Sequence, residues 1–159
     1  MYQNLFAGIG REPADAIDAV FESEGHDPVV LENIPFYSVC EHHLLPFFGH
    51  AHLAYIPNGK IAGLSKLARA LEVASRRLQV QERLTRQMAD AIFTALKPDG
   101  VVVEVEKRSS GERFAMKTVK LEGLDERERQ ELRLELEIQR GLTHPNIARI
   151  FESFEANDH

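Results

Sequence analysis

Apolar residues recur along this chain at two different spacings, and the changes between them mark out its elements. Residues 81–96 place Leu84, Met88, Ile92 and Leu96 one turn apart on a single stripe, the pattern of an amphipathic helix. Residues 66–77 do the same with Leu67, Leu71 and Ala74, and Ser65 ahead of them is a helix-capping residue type. Residues 12–22 also read at helical spacing, with Ala16, Ala19 and Val20 on one side. Residues 28–39 and 49–57 read instead as strands, joined by a turn rich in chemically active side chains. Pro98-Asp99-Gly100 marks a turn, after which 101–107 and 113–120 read as a hairpin around Ser109-Ser110-Gly111. Asp125 with Glu128 three residues on marks a helix start, and Gly141 a stop. His144-Pro145-Asn146 turns into a final strand over 147–154. Strands, two helices and strands again predict an α+β fold with helices layered on an antiparallel sheet.

Composition narrows the class. At 159 residues and 43% hydrophobic, the chain is one ordinary domain or a domain with an appendage. A formal net charge of -6 argues against a general nucleic-acid binder. No stretch is long and apolar enough to span a bilayer, and no secretory signal pattern precedes the body. A single cysteine excludes an internal disulfide and fits a reducing compartment, so a cytoplasmic location is expected. Residues 1–106 carry 23 charges, whereas the 53 residues 107–159 carry 21, so a boundary is expected near residue 106.

The turn between the first two strands holds the candidate chemistry. Cys40-Glu41-His42-His43 puts a thiol and two imidazoles within four residues. Cys40 and His43, at i and i+3, can be aimed at one point by a single turn, and zinc prefers that donor pair. His42 would point elsewhere, free to move protons near neutral pH. A lone Cys-x-x-His is equally the pattern of a small buried cysteine beside an ordinary histidine.

Longer stretches sharpen the reading. They are Glu24-Gly25-His26-Asp27, Phe36-Tyr37-Ser38-Val39-Cys40-Glu41-His42-His43-Leu44-Leu45-Pro46-Phe47-Phe48-Gly49 and Ala54-Tyr55-Ile56-Pro57-Asn58-Gly59-Lys60. After them come Gly63-Leu64-Ser65-Lys66-Leu67-Ala68-Arg69, Arg76-Arg77-Leu78-Gln79-Val80-Gln81-Glu82-Arg83-Leu84-Thr85 and Pro98-Asp99-Gly100-Val101. In order and spacing they resemble the GTP cyclohydrolase I family from about residue 5 to about residue 106. The resemblance implies a tunnelling fold, whose units assemble side by side into rings with sites between subunits. It implies hydrolytic opening of the imidazole ring of GTP, giving formate and dihydroneopterin triphosphate for tetrahydrofolate or pterin biosynthesis. In that picture Cys40 and His43 are zinc ligands and His42 shuttles protons. Glu82 holds the guanine N–H edge with help from Gln81, since a carboxylate accepts paired N–H bonds. Lys66 and Arg69 bind the triphosphate, with Ser65 near the base or ribose. Without the resemblance, Glu82 and Arg86 are simply spaced for a helix-surface ion pair.

The chain also departs from the family pattern. Members carry a helical region ahead of the stretch matched by Leu5-Phe6-Ala7-Gly8, so the expectation is a core shortened at both ends. After Val103-Glu104 the family supplies a His-x-Cys element, with a second cysteine ligand, and then an arginine. Lys107 and Ser109 stand in those two positions here. The zinc ligand set is therefore expected to be incomplete and activity impaired, with Glu104, Glu106, His50, His52 or a partner-chain residue as substitute candidates.

Residues 107–155 resemble part of a protein kinase amino-terminal lobe. Ser110-Gly111-Glu112-Arg113-Phe114-Ala115-Met116-Lys117-Thr118-Val119 is similar to its third strand, with Lys117 at the ATP-phosphate lysine. Glu135, nine residues before His144, falls where that lysine's partner belongs. Kinase activity is not expected, because the chain has no Gly-rich phosphate loop, catalytic His-Arg-Asp or metal-binding Asp-Phe-Gly. Three expectations follow: an impaired zinc-assisted GTP cyclohydrolase I, a non-catalytic nucleotide-binding or assembly relative, or a chimeric fusion without native activity.

Overall fold

A computed structural model describes residues 2–108, 113–119 and 125–141 of the 159. The chain divides into two compact units, Met1–Lys120 and Leu121–His159.

The first unit is built on a five-stranded sheet. β2 (Val29–Cys40) and β3 (Pro46–Ile56) form its long central hairpin. β6 (Gly100–Lys107) pairs antiparallel with β3, and β7 (Arg113–Val119) pairs antiparallel with β6. β5 (Leu78–Gln79) adds to the free side of β2, the one parallel pair among the described residues. A separate two-stranded piece joins β1 (Val20–Glu22) to β4 (Lys60–Ala62). The short helix α1 (Tyr2–Leu5) stands at the amino terminus.

Strand alternation decides which face is covered. Along β3, Phe47, Gly49, Ala51, Leu53 and Tyr55 are buried while their neighbours are not, the period of two that half-buried strands require. β6 continues this face with Val101, Val103 and Val105. Against it lie α2 (Leu64–Ser75) and α3 (Gln81–Leu96), which bury Leu67, Leu71 and Ala74, and Leu84, Met88, Ile92 and Leu96, respectively. The fold is thus α+β, with two helices on one face of the sheet.

Two close approaches hold this arrangement. A Cβ on Gly49 would stand 1.8 Å from the Glu106 carbonyl oxygen, so only glycine lets β3 and β6 meet there. Tyr55 is buried to its ring, and its hydroxyl accepts the Ala62 N–H at 3.0 Å, tying β4 to the sheet.

Three local readings need correction. Residues 12–22 form no helix: Pro13–Ala16 is a single 3-10 turn, the chain leaves it at Ile17, and Val20–Glu22 becomes β1. Eleven residues of helical spacing are too few to nucleate against a strand pairing, and Ala16 and Ile17 enter the core as a packed turn. α2 begins before Ser65, at Leu64, behind a Gly63 N-cap without a side-chain bond; the Gly63 carbonyl accepts the Lys66 N–H at 2.8 Å. β5 was not anticipated.

The second unit is described over α4 (Glu126–Gly141). Its start is the expected capping box: the Asp125 carboxylate accepts the Glu128 N–H at 2.7 Å, and the Glu128 carboxylate accepts the Asp125 N–H at 2.8 Å. The expected strand over 147–154 and the turn before it lie outside the described residues.

Candidate active site

The link between β2 and β3 is one tight turn. The Leu44 N–H donates to the Cys40 carbonyl at 2.9 Å and the Cys40 N–H to the Leu45 carbonyl at 2.8 Å. Leu44 takes a left-handed conformation, φ 56°, which ends the turn. Cys40 and His43 are thereby brought to one side, with Sγ and Nδ1 3.5 Å apart. Hydrogen bonding from His43, aided by the backbone N–H groups of His43 and His42, holds the Cys40 thiol below its usual pKa and favours the thiolate.

This donor pair suits zinc in separation as well as in chemistry. With Zn–S near 2.3 Å and Zn–N near 2.0–2.1 Å, two ligands on a tetrahedral ion stand about 3.6 Å apart. Among the described residues, however, no group of three or more His, Cys, Asp and Glu side chains stands close enough to hold a metal. Lys107 closes β6, and Ser109 lies outside the described residues. Of the substitute candidates, His50 and His52 are directly paired across β3 and β6 with Glu106 and Glu104, along the sheet rather than at the turn.

The His42 side chain is 66% exposed, with its Nε2 3.7 Å from Glu41 Oε1. The other Glu41 oxygen meets Arg83 Nη2 at 2.5 Å, and that guanidinium holds the Glu41 carboxyl below the usual carboxylate range. Arg83 Nε also donates to Gln79 Oε1 at 2.6 Å, and Nη2 to the Leu78 carbonyl at 2.9 Å. The sequence reading missed this network; its signal was an arginine one residue past Glu82, inside a stretch already singled out.

α3 enters the same end of the sheet. Val80 is extended, and Gln81 and Glu82 form the first turn. Glu82 is exposed there, where a carboxylate also suits the helix dipole. Gln81 turns inward instead, its amide donating to the Val105 carbonyl at 2.7 Å, and so anchors α3 to β6. Arg86 pairs with Asp90 at 3.7 Å.

The remaining predicted residues stand apart. Ser65 and Lys66 open α2 at the end remote from Cys40; the helix is 12 residues long, about 18 Å. Lys66 Nζ pairs with Asp18 at 2.5 Å, and this bond holds the Asp18 carboxyl below its usual range. Arg69, one turn along, lines an open cavity of about 280 Å³ with Ala7, Gly8, Arg11, Glu72, Val73 and Arg76. Three guanidinium groups against one carboxylate favour an anion there. Arg77 secures its floor, donating to the carbonyls of Gly8 and Arg11 at 2.7 Å each. Arg11 and Arg76 were not anticipated as lining residues.

Known proteins resemble this chain in sequence and in fold. The sequence profile of the GTP cyclohydrolase I family matches residues 1–124. GTP cyclohydrolase 1 of Streptococcus gordonii is 65% identical over 108 residues, covering 67% of this chain and 57% of that protein. The Streptococcus mutans enzyme of the same name is 59% identical over 107 residues, covering 67% and 56%. The chain thus spans a little over half the length of these relatives. In fold it is similar to the crystal structure of the archaeosine synthase QueF-Like in the apo form, with a TM-score of 0.52, 19% identity, and coverage of 60% of this chain and 94% of that one. The family match passes residue 106, and the kinase-like pattern of residues 107–155 finds no counterpart in these matches.

Proposed function

The chain belongs to the GTP cyclohydrolase I family, and from that membership we propose that it binds GTP and carries a weakened form of the family's hydrolytic ring opening, toward formate and dihydroneopterin triphosphate. The observation that carries this reading is the 3.5 Å approach of Cys40 Sγ to His43 Nδ1, at the sheet end where His42 and the Glu82 turn also stand. Cys40 and His43 would hold zinc, which when bound supplies Lewis-acid polarisation. His42, exposed and 3.7 Å from a carboxylate, takes up and returns a proton. Glu82 accepts the N–H groups of the guanine edge, and Gln81 serves it by fixing the first helical turn.

The anion-binding residues suggest how a complete site arises. Ser65 and Lys66 sit at the far end of α2 from Cys40, so one chain does not bring both sets to one small ligand. A second copy supplying Ser65, Lys66 and Arg69 to the Cys40 end of the first fits a homo-oligomer with sites between subunits. Weak turnover follows from Ser109 standing where the family has its second cysteine, because zinc sites use three or four protein ligands. Residues 107–159 are proposed to carry no kinase chemistry.

The test is GTP turnover by the purified chain with added zinc, read as pterin fluorescence after oxidation. Slow turnover abolished by Cys40→Ser is the expected result. Full family-level turnover would overturn the impairment, and absence of any guanine-nucleotide binding by the assembled chain would overturn the function.

A further inference from the structure

The Arg83 network has a feature the proposed chemistry does not use. Its guanidinium reaches three groups at once: Glu41 Oε2 at 2.5 Å, Gln79 Oε1 at 2.6 Å and the Leu78 carbonyl at 2.9 Å. Gln79 is fully buried and in turn donates to the Ala74 carbonyl and to Gln87, both at 2.9 Å. The Glu41 N–H closes the circuit on the Gln79 carbonyl at 3.1 Å. The Cys40 turn, β5, the end of α2 and the start of α3 therefore meet at one side chain.

Glu41 is the residue between Cys40 and His42, and Arg83 is the residue after Glu82. We propose that Arg83 and Glu41 form a positioning strut, which sets the Cys40–His43 turn at a fixed distance from the Glu82 turn and holds one Glu41 oxygen toward His42. The inference rests on the roles given above to Cys40, His42 and Glu82. Neither member of the strut touches substrate. Each acts through its neighbour in sequence, one on the proton-moving histidine and the other on the guanine-holding carboxylate. The fork geometry matters: a guanidinium can address Glu41 and Gln79 together, whereas an ammonium presents a single point charge. The strut also occupies Glu41, a carboxylate adjacent to the Cys40 ligand position, and so keeps it out of the ligand set.

The test compares Arg83→Met, Arg83→Lys, Glu41→Gln and the Glu41→Gln/Arg83→Met double variant in the full chain, each first shown to be folded by circular dichroism. In the metal-free proteins, imidazole ¹⁵N–¹H spectra report the environments of His42 and His43. Titration with Co(II) reports the Cys40–His43 pair through its thiolate-to-cobalt absorption. With zinc and GTP, kcat and KM are separated. Misplacement of a reacting group by about an ångström costs up to roughly a hundredfold, so each single variant should lose about tenfold or more in kcat with a smaller change in KM. The double variant should be no worse than either single one, because both break the same link. Arg83→Lys should recover part of the loss. Folded Arg83→Met protein with an unmoved His42 resonance and unchanged cobalt affinity would overturn the strut, as would additive single effects. If the parent chain neither binds nor turns over GTP, the proposed function falls, while the spectra and cobalt titration still decide the strut.

Discussion

The two ends of α2 carry the two halves of the proposed site, and they are prepared in opposite ways. At the Cys40 end the groups are held by hydrogen bonds to one another: Cys40 to His43, Glu41 to Arg83, Arg83 to Gln79, and Gln81 to the sheet. At the other end Ser65 is exposed and Lys66 is held by Asp18 across the protein surface, with Arg69 exposed one turn further along. Reacting groups must be pre-set in direction, and a network of short polar contacts does that. Phosphate oxygens accept donors from many directions, so a cationic end can stay loosely held until an anion organises it. The contrast between the ends therefore follows the chemistry each would meet.

The contrast can be broken most severely at Gly49. Gly49→Ala drives a methyl into the Glu106 carbonyl, and an overpacked contact with backbone should cost about 3 kcal/mol or more. Chemical denaturation should show that loss, with the Cys40 end failing first because Gly49 pairs with Phe36, four residues before Cys40. Next comes Cys40→Ser. It should remove zinc binding, measured by equilibrium dialysis, while phosphate affinity at the Arg69 cavity stays unchanged. Arg69→Ala is its mirror image: triphosphate affinity should drop about tenfold, the scale of one charge-assisted contact, with cobalt binding at Cys40 unaltered. The smallest effect is Asp18→Asn. Lys66 holds the Asp18 pKa down, so the pair stabilises the fold above the usual aspartate range near pH 3.9 and loses that contribution as pH falls through the lowered folded value. Melting temperatures of parent and variant should differ slightly at neutral pH and converge in acid. A difference that grows toward acid would overturn that assignment.

How far the sequence foretold this depends on range of contact. α3 was legible to its ends, because Leu84, Met88, Ile92 and Leu96 form a stripe that the sheet buries completely. The approach of Cys40 to His43 was legible because the two residues share one short turn. The capping box of α4 was legible because it is a purely local exchange. Residues 12–22 misled, since their spacing competed with a strand pairing 42 positions away, Val20 to Ala62. β5 gave no local signal at all: its two residues include a fully buried glutamine, and its partner Cys40 lies 39 positions back. A separation of 42 positions hid the Glu41–Arg83 contact, and Arg11, whose carbonyl accepts from Arg77, lies 66 positions from that partner. The charge-density change near 106 marked no break in the first unit, which runs to Lys120 with β7 inside it.

That two-residue β5 has a consequence for folding. A parallel pair cannot close through a tight turn, so the chain between Cys40 and Gln79 passes through β3, β4 and α2 before the pair can form. The final surroundings of the Cys40 turn therefore depend on a non-local closure, the kind of contact that slows folding. Conversely, so short a strand at the sheet margin should open well below the free energy of global unfolding. Amide exchange at Gln79 and Glu41 would then be faster than at Leu53 or Val103, and binding of a nucleotide would be felt first as protection of those two amides.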